Sequence, residues 1–221
     1  MDVIDFFGSS RPRSAEERIR KIEAYVPGPG KRGDFLRYGY DYFDNEDFGV
    51  GYGGYRYDGR YAGSVDKMIS HYRLTPESRV LELGCAKGFI LFEFLRRGIA
   101  VAGIDISEYA VENALPEVRP FIRQGSCERL EWGDGTFDLV YSKETLPHLT
   151  ETQLVSAIAE VRRVCRGDDI FLEIQVGNDD RACQLISVWD ETHQTVRSSE
   201  WWRRFLMDQG YRGQVCFKAL F

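Results

Sequence analysis

The run that most constrains this chain is Val80-Leu81-Glu82-Leu83-Gly84-Cys85-Ala86-Lys87-Gly88-Phe89. Val80 to Leu83 are apolar apart from one carboxylate and read as a short buried strand. Two glycines four apart follow, and then an apolar helical run from Phe89 to Leu95. Strand, tight turn and helix N-terminus together make the repeating unit of a parallel α/β sheet. Gly84 lets the backbone bend sharply and lets a ligand approach where a Cβ would collide. The helix behind it points unpaired N–H groups at whatever sits above the turn. That is the layout of a nucleotide-type cofactor site at the carboxyl end of a strand.

The spacing narrows the cofactor. A dinucleotide fingerprint counted from Gly84 needs glycine at 86 and 89, and Ala86 and Phe89 stand there. What is present is E-x-G-x-A-x-G. It resembles the first motif of class I S-adenosylmethionine-dependent methyltransferases, D/E-x-G-x-G-x-G, with alanine for the middle glycine. A second short strand, Val101-Ala102-Gly103-Ile104-Asp105, ends in an acid 17 residues after Gly88. A third stretch, Gly133 to Ser142, is similar to the family's fourth strand and its lead-in turn. The resemblance covers roughly residues 65 to 176 and is poor in the flanks.

The resemblance implies an α/β fold: a doubly wound, mostly parallel sheet of the seven-stranded type, with helices on both faces. It implies S-adenosylmethionine as cofactor and S-adenosylhomocysteine as product. Asp105 is the expected ribose ligand, and Glu82 is expected near the cofactor's amino-acid portion and the glycine loop. Gly84, Cys85, Ala86, Gly88, Ile106, Ser126, Cys127 and Ser142 complete the expected cofactor contacts. Many family members carry an acid near Ser126 that accepts from the adenine amino group; here the position is an uncharged hydroxyl.

Bulk properties bound the rest. A length of 221 residues suits one domain with an appended segment, and 43% hydrophobic content suffices for a core. A net charge of −6 gives no basic face for nucleic acid. Five cysteines, odd in number, scattered and without C-x-x-C, argue against a disulfide framework or a zinc site and for a reducing cytoplasm. The acidic N-terminus is no signal peptide, and no run reaches the ~20 apolar residues of a membrane span.

Taken in order, residues 1–30 read as an N-terminal helical arm, opened by the capping box Ser14-Ala15-Glu16-Glu17. Residues 38 to 63 hold seven of the twelve tyrosines and seven glycines. Glycine at that density will not hold a regular helix, and a loop this long in a compact domain is usually functional or disordered. Residues 1–64 are therefore expected to form an arm and a Tyr/Gly-rich lid, and residues 65–221 the cofactor-binding domain. Strands are expected at 79–83, 100–105, 120–124, 137–142, 169–176 and 214–221. The family closes its sheet with a reversed hairpin; one of its two strands is missing here or lies in 180–190.

Candidates for the chemistry cluster after the fourth strand, in Ser142-Lys143-Glu144-Thr145-Leu146-Pro147-His148. In the resembled family this loop faces the transferring methyl. His148 is the first candidate general base; Glu144 and Tyr141 compete, as do Asp58 and His71. Tyr55, Tyr57, Asp58, Arg60 and His193 are candidate acceptor contacts, since tyrosines offer flat faces and hydroxyls to polyhydroxylated or cationic ligands. No metal-ligand spacing is visible, so no bound metal is expected. No N-P-P-Y-like tetrapeptide follows the fourth strand, which argues against the amino-methyltransferases of bases and of protein glutamine. With the negative charge, this favours a small-molecule acceptor with an O or N nucleophile. The Gly-Gly-Tyr-Arg-Tyr-Asp-Gly-Arg stretch looks like methyltransferases of surface-polysaccharide or natural-product pathways, which suggests a sugar or sugar-containing intermediate. The other classes open are a non-catalytic S-adenosylmethionine-binding partner protein and a nucleotide-dependent oxidoreductase. The chain is expected to be a monomer or homodimer without nucleic-acid or membrane partners.

Overall fold

The structure is a computed structural model that describes residues 1–8, 13–25 and 32–221. Helix α1 (Ala15–Ala24) starts where the Ser14 hydroxyl accepts from the Glu17 N–H. Two single-turn helices, α2 (Arg32–Phe35) and α3 (Tyr40–Phe43), lead into the tyrosine-rich stretch. The α/β unit then runs α4 (Ala62–Tyr72), β1 (Arg79–Leu83), α5 (Phe89–Leu95), β2 (Ala100–Asp105), α6 (Glu108–Glu112), β3 (Ile122–Gln124), β4 (Leu139–Lys143), α7 (Glu151–Val164) and β5 (Ile170–Val176). Helices α8 (Asp180–Trp189) and α9 (Ser199–Asp208) and strand β6 (Gln214–Ala219) finish the chain.

The sheet order is β3-β2-β1-β4-β5-β6, and every neighbouring pair is parallel. Parallel neighbours need crossovers, and the helices supply them on both faces. Leu81, Leu83, Val140 and Leu172 turn toward α7 and α9; Val80, Leu139, Tyr141 and Phe171 turn toward α4 and α5.

Two expectations about the closing edge are corrected. Residues 180–189 are helical, not a strand: Asp179 caps α8 by accepting from the Ala182 N–H at 2.8 Å. With α8 and α9 between them, β5 and β6 are joined by a crossover, so β6 lies parallel rather than reversed. The sheet has six strands among the described residues, not seven. Its β6 edge is extended by the N-terminus: Ile4 donates its N–H to the Val215 carbonyl at 2.8 Å, and Val215 donates to Asp2 at 2.9 Å.

Residues 38–61 are bolted across the carboxyl ends of the strands. Tyr42, Phe43, Phe48, Val50, Tyr55 and Tyr61 are buried in the same core as α4 and α5. Lys87, buried in the glycine turn, holds Asp44 at 2.5 Å and the Tyr55 carbonyl at 3.2 Å. The Tyr109 hydroxyl donates to Asp44 at 2.6 Å, and Ser107 donates to the Tyr38 carbonyl at 2.6 Å. The stretch expected to form a lid is thus a cap, tied by its polar groups to the glycine turn and to α6.

Candidate active site

Strand β1 ends at Gly84, whose φ is +66°, and the next turn carries Ala86 at φ +48°. A left-handed alanine costs roughly 1–2 kcal/mol, which explains why glycine suits this position better. Asp105 holds it there. Its carboxylate accepts the Ala86 N–H at 2.7 Å and the Ser107 N–H at 2.9 Å, tying the tips of β1 and β2 together. Burial raises the Asp105 carboxyl above its ordinary value, and those two N–H groups work against that rise. One bond to each oxygen leaves acceptor capacity on the carboxylate for two further hydroxyls.

Above these tips lies a cavity of about 310 Å³. Gly84, Ala86, Asp105 and Ile106 line one end; Gly125, Ser126, Cys127 and Glu128 line the end at β3; Tyr38 and Phe43 of the cap close it over. The acid that Ser126 lacks is supplied two residues on. Ser126 donates to the Glu128 carboxylate at 2.9 Å, and Gln153 donates to it at 3.0 Å. The sequence shows Glu128, but only the turn after β3 brings its carboxylate to the cavity.

A second cavity of about 140 Å³ lies deeper under the cap and shares Tyr42, Tyr52, Lys143, Glu144 and His148 with the first. Its floor follows from strand alternation: Lys143 of β4, Glu173 and Gln175 of β5 and Lys218 of β6 all face the cap. Lys143 lies 3.2 Å from Glu144 and 3.4 Å from Glu173; Lys218 lies 3.0 Å from Glu173 and 3.2 Å from Asp5. Arg13, Arg18 and Arg60 add cationic groups to the walls.

Glu144 sits at φ +59°, a conformation that a non-glycine residue adopts only when its surroundings impose it. Its N–H is held by the Glu173 carbonyl at 2.8 Å. The turn aims its carboxylate at the wall between the cavities. Burial opposes its ionisation, but the Lys143 ammonium outweighs burial and holds the carboxyl below its usual range.

His148 faces both cavities and Tyr38 packs edge-on against it, ring centroids 5.7 Å apart. Burial, reinforced by His193, lowers the imidazole to about 4. Thr192 Oγ1 donates to Asp190 at 2.5 Å, so toward His148 Nδ1, 2.8 Å away, it acts as acceptor. Nδ1 therefore carries the proton and Nε2 the lone pair. Asp190 also accepts the Tyr42 hydroxyl at 2.9 Å. Burial favours the neutral form of Asp190, but His193, His148 and Thr192 keep its carboxyl below the ordinary value.

Of the residues expected to touch cofactor, Gly84, Ala86, Asp105, Ile106, Ser126 and Cys127 line the first cavity; Glu82, Cys85, Gly88 and Ser142 do not. Glu82 and Tyr141 are cross-strand neighbours facing α5, and the Tyr141 hydroxyl donates to Glu82 at 3.0 Å. Burial pushes both pKa values well up, and neither side chain lines a cavity. Gly88 is a packing glycine, where a Cβ would lie 2.7 Å from Val118. Of the expected acceptor contacts, Tyr55 and Arg60 line the second cavity. Tyr57 instead donates to Glu93 of α5, and Asp58 pairs with Arg60 at the surface. His193 packs against His148 with the rings tilted by 46° and their centroids 4.4 Å apart. His71 packs against Phe6 and Tyr72, away from both cavities. The expectation of no metal ligands rests on spacing along the chain; the fold gathers His148, Asp190 and His193 from separate segments.

Residues 81–172 match the methyltransferase domain family. Over that segment the chain is similar to a methyltransferase domain, and its fold is shared with SAM-dependent methyltransferases. It is 34% identical over 104 residues to an uncharacterized methyltransferase of Synechocystis sp., covering 47% of this chain and 49% of that one. It is 28% identical over 163 residues to the sarcosine/dimethylglycine N-methyltransferase of Halorhodospira halochloris, covering 67% and 57%. A crystal structure of a SAM-dependent methyltransferase from Archaeoglobus fulgidus shares the fold, with a TM-score of 0.58 at 19% identity over 68% of this chain and 67% of that one. The chain spans about half the length of the curated relatives it matches.

S-adenosylmethionine is the cofactor of this methyltransferase domain, and the first cavity fits it. Asp105 offers acceptors for a diol, Ser126 to Glu128 offer acceptors at the β3 end, and the left-handed 84–86 turn keeps side chains off the floor. No helix of the described residues is long and apolar enough to cross a membrane.

Proposed function

We propose that this chain transfers a methyl group from S-adenosylmethionine to an oxygen or nitrogen of a small polar acceptor, a sugar or sugar-containing intermediate, held in the second cavity. The observation that carries the reading is the shared wall. The residues that close the cofactor cavity, Tyr42, Tyr52, Lys143, Glu144 and His148, also line the deeper one. A nucleophile in the deeper cavity therefore faces the bound cofactor across that wall. The relative named for sarcosine and dimethylglycine methylation supports transfer to a compact polar molecule. The charged floor and tyrosine walls suit a polyhydroxylated ring, which offers hydroxyls to charges and an apolar face to aromatic rings.

When bound, S-adenosylmethionine supplies a methyl group already activated on a sulfonium. The protein's task is then to hold the acceptor in line and to take its proton. Glu144 carries the proton-accepting role: it is ionised beside Lys143, and its strained turn points it into the wall. His148, neutral and held by Thr192, offers Nε2 as acceptor to the nucleophile's hydrogen and so orients it. Lys143 keeps Glu144 charged until the proton arrives. Tyr141 and Glu82 support β1 and β4 from below.

The test is calorimetric titration of the full chain with S-adenosylhomocysteine and with NAD, followed by methylation assays on sugars, nucleotide sugars and small amines with labelled S-adenosylmethionine. Binding of S-adenosylhomocysteine alone, with label moving to a sugar, supports the reading. Binding without transfer to any acceptor class would favour a partner protein that binds cofactor without catalysis.

A further inference from the structure

We infer that His148, Asp190 and His193 form a binding site for a divalent transition-metal ion at the wall between the two cavities. The three residues each bring one donor atom within 4.8 Å of the others. They come from the turn after β4 and the turn after α8. Asp190 and His193 lie 4.0 Å apart, Oδ2 to Nε2.

A second observation is independent of that spacing. The His193 side chain is 1% exposed, yet neither of its ring nitrogens has a hydrogen-bond partner. Leaving one buried polar group unpaired costs about 1–3 kcal/mol. A metal ion bound to one nitrogen removes that cost. Asp190 and His148 are already braced as ligands are. The Tyr42 hydroxyl, the Thr192 N–H and the Thr192 hydroxyl hold the carboxylate, and the same hydroxyl fixes the His148 ring with Nε2 unprotonated. Such outer hydrogen bonds orient metal ligands and set their tautomers.

The donor set selects the ion. Two imidazoles and one carboxylate suit zinc, iron(II), cobalt(II) or manganese(II) rather than calcium or magnesium, which favour all-oxygen sites. Metal–ligand bonds near 2.0–2.2 Å require the three donors to draw together from the separations of up to 4.8 Å that they show. Three protein ligands leave coordination positions open, and His148 borders both cavities, so those positions face the acceptor. There the ion, seated on His148 Nε2 in place of the hydrogen bond to the nucleophile, would hold the acceptor's oxygen or nitrogen and favour its unprotonated form, the proton passing to Glu144. That role rests on the methyltransferase reading; the existence of the site does not.

The full chain, stripped with a chelator and dialysed, is titrated with cobalt(II) and zinc(II) and followed by visible absorption and elemental analysis. The expected result is one ion per chain, with the weak visible bands of nitrogen and oxygen ligation. His193→Gln is expected to lose tight binding, and Thr192→Val to weaken it by roughly 10–100-fold. S-adenosylhomocysteine titration of each variant reports whether the fold survives. Three results would overturn the site: no stoichiometric binding, binding unchanged in His193→Gln, or an intense thiolate charge-transfer band marking cysteine ligation. Metal binding without S-adenosylhomocysteine binding would leave the metal site standing and remove the methyltransferase reading.

Discussion

Replacing Gly84 by alanine tests the turn on which the site is built. A Cβ at Gly84 would lie 2.1 Å from Thr145 Oγ1, 2.4 Å from its Cγ2 and 2.8 Å from its Cβ. Rotating Thr145 relieves the first two contacts but breaks its bond to the Leu83 carbonyl, now 3.1 Å, at about 1 kcal/mol. The Cβ–Cβ contact survives any rotation, so the backbone must shift, at about 1–3 kcal/mol. The φ of +66° adds roughly 1–2 kcal/mol for a side chain in the left-handed region. Together Gly84→Ala should cost about 3–6 kcal/mol. For a chain of this size, at about 2–4 °C per kcal/mol, that lowers the melting temperature by roughly 6–24 °C. The assay is a double-mutant cycle by urea denaturation, pairing Gly84→Ala with Thr145→Gly. In the Thr145→Gly background only the backbone cost remains, so the coupling should reach about 2–4 kcal/mol. Effects that add to within about 0.5 kcal/mol would refute the steric account, and so would a single-variant cost below about 1 kcal/mol.

Asp105→Ala should abolish S-adenosylhomocysteine binding and also destabilise the chain by about 2–4 kcal/mol, because two loop N–H groups lose a carboxylate. Retained binding in calorimetry would overturn the ribose assignment, and unchanged stability would overturn the clasp. Lys218→Met leaves Glu173 with one buried cation instead of two, and breaking such a pair should cost about 3–5 kcal/mol in chemical denaturation. Burial raises the Asp44 carboxyl, but hydrogen bonds from Lys87 and Tyr109 outweigh it and bring it below its ordinary value. Its contribution is therefore present above an unfolded pKa of about 3.9 and is lost as pH falls through the folded value. Asp44→Asn should destabilise by about 2 kcal/mol at pH 7 and by clearly less near pH 3; equal losses at both would disprove the linkage.

How much was legible in the sequence differs between the two cavities. The cofactor cavity is built from contiguous segments, each a strand tip and the turn after it. Gly84 and Asp105 were readable because a glycine or an acid at a strand end has a fixed direction once the strand is known. Glu82 and Ser142 were misplaced by the same alternation. Glu82 faces α5 beside Tyr141, and Ser142 is buried in β4, so neither reaches the cavity surface.

The sequence by itself determined the strands and helices from β1 to β5 and the glycine turn, because hydrophobic period and turn chemistry are local; the cofactor class came through the resemblance those motifs carry. Tertiary structure alone decided the rest. Whether β6 runs parallel depends on how α8 and α9 carry the chain back. The charged floor exists because β4, β5 and β6 stand side by side in one register, which puts Lys143, Glu173 and Lys218 on one face. The group of His148, Asp190 and His193 exists because the turn after α8 lands on the turn after β4. Contacts between segments distant in the chain leave no period or spacing to read, since they are set by packing rather than by neighbours in sequence.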